Sequence, residues 1–179
     1  ADGAHNHLIT FGEVIAMYLL VWSPVLWKYV RTSVKDVSEP HRDKYLEEQK
    51  QLAHFVDGLD GVQRAMAHMP VYMIFDDHDV TDDWNLTRGW EAAAYSNPFS
   101  RRIIGNALIG YWLCQGWGNA PQHFPAEFMQ QIHDYFDDPD CDSQDRLIDT
   151  LLHFEHWHYS LATSPKLVVL DTRTRRWRS

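Results

Sequence analysis

Cysteine is scarce in this chain, where only Cys114 and Cys141 occur. Two are too few for a disulfide scaffold and have no metal-ligand spacing, so they read as structural or incidental, and the redox compartment stays open. Basic residues are also short, with 16 Lys and Arg against 25 Asp and Glu and a net charge of −9. A nucleic-acid backbone requires a positive surface, so this balance argues against a nucleic-acid partner. An acidic protein that handles phosphate needs metal ions to reverse the local field. No apolar stretch is long enough for a membrane span: Leu8 to Trp27 is interrupted by Gly12, Glu13 and Ser23-Pro24 before ~20 clean residues accumulate. That segment reads instead as a core-facing helix that kinks or ends near Pro24. G-x-S-x-G, a Walker-type loop, H-E-x-x-H and C-x-x-C are all missing, which removes the serine hydrolase, P-loop, zincin and dithiol classes.

What the chain does have is enough apolar residues, 45% of 179, to bury a core of ordinary size. One domain over residues 1–179 is the simplest expectation. Its most informative stretch runs from Met69 to Asn85, where Val71, Tyr72, Ile74 and Phe75 empty into five aspartates and a histidine. The β-branched and aromatic run, bounded by Pro70 and an acidic stop, predicts a buried central strand over residues 71–75. In open α/β sheets ligands bind beyond the carboxyl ends of strands, which is where Asp76 to Asp83 would lie. Carboxylates this close repel one another unless a cation sits among them, and hard cations take oxygen ligands while histidine supplies a nitrogen. A solvated acidic turn ahead of a helix is the plainer alternative.

At Phe75-Asp76-Asp77-His78-Asp79, with Asp82-Asp83-Trp84 following, the chain resembles the PhoD-like phosphatases of the calcineurin-like metallophosphoesterase superfamily. That family follows a strand with an apolar residue, then Asp-Asp-His-Glu, and a few positions later an Asn pair before an aromatic. Here Asp79 stands for the Glu, and Asp82 and Asp83 stand for the Asn pair. The resemblance implies Asp77 as a metal ligand, His78 as the phosphate-facing histidine, and Asp83 as a further ligand. A second similarity lies at Leu167 to Leu170 followed by Asp171-Thr172-Arg173, which matches the family's Asp-x-Arg after a strand and makes Arg173 a candidate substrate contact. The family's upstream and downstream Gly-Asp segments have no counterpart, since the chain contains no Gly-Asp dipeptide. The expectation is therefore a fragment of a larger PhoD-like domain.

Elsewhere, Ser38-Glu39-Pro40 predicts a helix start, with Tyr45, Leu52, Val56 and Leu59 recurring at helical intervals and Gly58 and Gly61 weakening its end. Ser96-Asn97-Pro98 predicts another, whose stripe of Phe99, Ile103, Ala107, Leu108, Tyr111 and Trp112 reads as core. Asp138, Asp140, Asp142 and Asp149 fall at calcium-loop positions, but Ser143 replaces the required Gly, and a helix-start loop is the default. Trp157, Tyr159 and Leu161 alternate with His156, His158 and Ser160, which predicts a half-buried strand and a hairpin over residues 155–171. His156 and His158 share a face and are either ligands or simply exposed. Arg173, Arg175, Arg176 and Arg178 form a basic cluster that suits bidentate phosphate contacts or a solvated tail.

The expected fold is α/β, and the resemblance implies that it is the helix-rich portion of a metallophosphoesterase αββα sandwich. The implied function is metal-dependent hydrolysis of small phosphate mono- or diesters, with iron, manganese or calcium as cofactor. His78 would act on the phosphoryl group or leaving oxygen, and Asp76 and Asp79 would orient His78 and Asp77. The competing expectation is a non-catalytic acidic protein that binds calcium or merely caps helices.

Overall fold

The computed structural model describes residues 7–176. Among the described residues seven α-helices are formed: α1 (Phe11–Trp22), α2 (Arg42–His68), α3 (Arg88–Ser96), α4 (Pro98–Tyr111), the short α5 (Trp117–Asn119), α6 (Ala126–Asp137) and α7 (Cys141–His153). A π-helical stretch, Trp112–Gly116, joins α4 to α5. The only β pairing among the described residues is an antiparallel hairpin of β1 (Tyr159–Leu161) and β2 (Leu167–Val169), in the register Tyr159 to Val169. The fold is thus helical with one small hairpin, and the expected α/β sandwich is overturned.

The central strand expected over residues 71–75 does not form. These residues belong to no regular element and have no strand paired with them. Side chains take the place of a ladder at Met73, whose N–H donates to Asn119 Oδ1 at 3.2 Å. The Met73 carbonyl accepts from Asn119 Nδ2 at 2.6 Å and from the Tyr159 hydroxyl at 3.0 Å. Apolar residues that bury Phe75 among aromatic rings have the composition of a strand whether or not a neighbour pairs with them.

The chain divides into two compact units, Ile15–Val71 and the remainder. Within Ile15–Val71, α1 ends before Ser23-Pro24 as the proline dictates. The helix expected from Ser38 begins with a 3-10 turn, Glu39–His41, and α2 then runs through Gly58 and Gly61 to His68. A glycine in an exposed helix costs about 1 kcal/mol, too little to end a helix of 27 residues.

The other unit is built around α4. Asn97 caps it, accepting from the N–H groups of Phe99 and Ser100 at 3.0 and 3.2 Å, with Pro98 at the first helical position. Its buried face carries Ile104, Ala107, Leu108 and Tyr111, in one core with Leu147, Ile148 and Leu151 of α7, which packs on α4, and Phe128 and Ile132 of α6, which packs on α7. α4 and α7 approach closely at Gly105, where an added Cβ would lie 2.3 Å from Ile148 carbons. Asp140 caps α7 rather than opening a calcium loop, and Asp149 lies on the helix and pairs with Arg101. Phe75, Trp84 and Trp157 complete the core by edge-to-face contacts, with Phe75 ring centroids 5.4 Å from Trp84 and 5.7 Å from Trp157.

Candidate functional site

The acidic loop begins where Phe75 enters the core, so its first residues are anchored from below. Asp77–Asp79 forms a single 3-10 turn held by a reciprocal cap. The Asp76 carboxylate accepts from the Asp77 N–H at 2.9 Å, and the Asp79 carboxylate accepts from the Asp76 N–H at 2.8 Å. Asp79 therefore shapes the turn. Asp76 and His78 are exposed, whereas Asp77 is buried at 8% exposure.

A buried carboxylate needs partners, and Asp77 has three. Its Oδ1 accepts from Arg173 Nε at 3.1 Å, and its Oδ2 accepts from Arg176 Nη1 and from the Asp83 N–H, both at 3.2 Å. Arg173 also grips Asp76 through Nε at 2.9 Å and through a close Nη2 contact. The Asp77 carboxyl is held well below the usual carboxylate range by hydrogen bonding with the Asp76 side chain first, against the cost of burial. Its own backbone N–H and the charges of Arg176 and Arg173 lower it further.

The arginines reach this point because of Asp171. Its Oδ1 accepts from the N–H groups of Arg173 and Thr174 at 2.9 and 3.0 Å, an Asx turn just past β2 that aims Arg173 at the loop. The segment is fastened from the other side by Asn85, which is buried with φ 55°. Its amide Nδ2 donates to the carbonyls of Arg173 at 3.3 Å and Thr174 at 3.0 Å, while its Oδ1 accepts from the Tyr95 hydroxyl at 2.8 Å. Trp84 Nε1 donates to the same hydroxyl at 3.0 Å.

The structure thus brings Asp76, Asp77, His78, Asp79, Asp83 and Arg173 to one place. Sequence reasoning missed the part played by Asn85 and left Arg176 undifferentiated within the basic cluster; Arg178 lies outside the described residues. An asparagine soon after an acidic turn is a residue type enriched at positive φ, the conformation Asn85 takes, but its partners are 88 and 89 residues away in sequence.

Two sets of donors have ligand atoms within 4.8 Å of one another: Asp76, Asp77 and His78, and Asp77, Asp82 and Asp83. The second is an all-oxygen set suited to a hard cation, and the first adds the imidazole nitrogen that iron or manganese accepts. Asp77 belongs to both, so the residues present fit a metal ion provided that the guanidiniums yield part of its carboxylate. His78 Nδ1 lies 3.7 Å from Asp82 Oδ1, with both side chains largely in solvent. A cleft of about 220 Å³ opens between α3, α4 and α7, with Glu91, Arg101, His153 and Thr174 among its walls, and none of Asp76 to Asp83 lines it.

No protein-family model, curated protein or solved structure matches the chain. No described helix is long and apolar enough to cross a membrane.

Proposed function

We propose that this chain carries the acidic loop of a metal-dependent phosphoesterase of PhoD-like type, acting on small phosphate mono- or diesters. The observation behind it is the double use of Asp77. One buried carboxylate is common to two sets of cation donors and is met by two guanidiniums, so cation-binding and phosphate-binding groups share a single point. A divalent or trivalent ion held by Asp77 with Asp83 would polarise a phosphoryl oxygen and lower the pKa of a bound water. Asp76 and Asp79 fix the turn from which His78 projects into solvent, open to an incoming ester. An imidazole so placed can protonate a leaving oxygen. Arg173 and Arg176 offer planar donors that match phosphate oxygens.

The test is hydrolysis of p-nitrophenyl phosphate and bis(p-nitrophenyl) phosphate in the presence of iron, manganese or calcium. Asp77→Asn and His78→Ala should each lower the rate by ~10² or more. Unchanged rates in both variants would overturn the assignment.

A second function has its own support: both oxygens of Asp77 are already engaged by arginines, as in an ion-paired structural lock. In that non-catalytic protein, calcium would alter thermal stability alone and no ester would turn over.

A further inference from the structure

Outside the acidic loop, three imidazoles come together from two separate segments. His123 closes the Pro121–His123 turn, and His156 and His158 flank Trp157 just ahead of β1. Their ring centroids are 5.6 Å apart for His123 and His156, and 5.9 Å apart for His156 and His158. The alternation that buries Trp157 and Tyr159 forces His156 and His158 outward on one side. The two segments are locked beneath the histidines, because Phe124, the neighbour of His123, packs on Trp157 with centroids 6.2 Å apart and stacks on Phe154 at 4.9 Å.

A hydrogen bond adds chemical direction. His123 Nδ1 lies 3.0 Å from the His156 carbonyl, and a carbonyl can only accept, so Nδ1 carries the proton. In the neutral ring the lone pair is then on Nε2. This is the arrangement by which proteins orient an imidazole for a metal, with one ring nitrogen donating to a backbone oxygen and the other left to bind.

We propose that His123, His156 and His158 form a surface site for one Zn2+-class transition metal ion, which staples the Pro121–His123 turn to the segment entering β1. Borderline ions of this class favour imidazole nitrogen at about 2.0–2.1 Å, and three such ligands leave a coordination position for water. The nitrogens are not gathered within 4.8 Å as the acidic-loop donors are. Closure requires rotation of the exposed His156 and His158 rings about χ2, a broad and soft torsion. The site is independent of the phosphoesterase proposal and shares no residue with it.

The probe is one equivalent of Cu2+ added to the full chain, with coordinated imidazoles counted by electron paramagnetic resonance and pulsed nitrogen couplings. Three imidazoles are expected, falling to two in His123→Ala and in His158→Gln, and staying at three in His78→Ala. Zn2+ at micromolar concentration should raise the melting temperature of the wild type and not of a variant lacking both His156 and His158. His158→Gln replaces an exposed side chain and keeps the measurement available if His123→Ala does not fold. Failure to form a one-to-one complex, or a copper signal that follows His78 or Asp77 instead of these three, would overturn the site.

Discussion

The side-chain amide of Asn85 holds the backbone carbonyl of Arg173, 88 residues further along, at 3.3 Å. Through this contact the acidic loop fastens the segment that supplies its own counter-charges, while Tyr95 holds the other end of the Asn85 amide. Asn85→Ala removes both carbonyl contacts and places an alanine at φ 55°, where a Cβ is disfavoured. The expected loss is about 2–4 kcal/mol in urea denaturation. Asn85→Gly, which relieves the backbone and still lacks the amide, should recover only part of it. Full recovery would show that the hydrogen bonds contribute nothing.

At Gly105 two opposing effects can be ranked. Alanine in a helix interior is favoured over glycine by about 1 kcal/mol, but here the new Cβ meets Ile148 at 2.3 Å. Overpacking of this kind costs about 1–3 kcal/mol, so Gly105→Ala should destabilise, and Ile148→Val in the same chain should restore part of the loss. A stabilised single variant would mean that α4 and α7 are not in close contact there.

The segment at Met73 is held by side chains, and Asn119 supplies a donor and an acceptor to it. Asn119→Ala should cost about 1–3 kcal/mol by leaving the Met73 N–H without that acceptor, and amide exchange at Met73 should accelerate. Tyr159→Phe should do less, because the Met73 carbonyl keeps its bond from Asn119.

Acid should weaken the cap of α7. The Asp140 carboxyl lies below its ordinary value chiefly because it accepts from the Ser143 N–H. A group whose pKa is lowered by folding adds stability above its unfolded value, about 3.9, and loses it as pH falls through the folded one. Melting temperature should therefore drop below about pH 4, and Asp140→Asn should flatten that part of the curve. An unaltered acid limb in the variant would count against the cap.

Arg176 separates the two functions proposed for the loop. If Asp77 binds a metal ion, Arg176→Ala removes a competing cation and should tighten Mn2+ binding several-fold by calorimetry. If Asp77 serves only as an ion-paired lock, the same variant lowers the melting temperature and Mn2+ binding is unchanged.

The local chemistry of this protein is determined by its sequence. Pro24 stops α1, Asn97-Pro98 starts α4, Asp140 starts α7, and the alternation from His156 to Leu161 makes an extended segment with Trp157 and Tyr159 inward. Each of these depends on residues within one or two turns of one another, where propensity and capping operate. The acidic loop is equally local, since Asp76 and Asp79 cap one turn between them. Whether residues 71–75 join a sheet was not decided in that way, because a strand needs a partner and a partner is a non-local fact. Met73 found Asn119 and Tyr159 instead. In the same way only the tertiary structure brought Arg173 and Arg176 onto Asp77 and His123 beside His156, because charge pairing and ring contact are set by where distant segments pack.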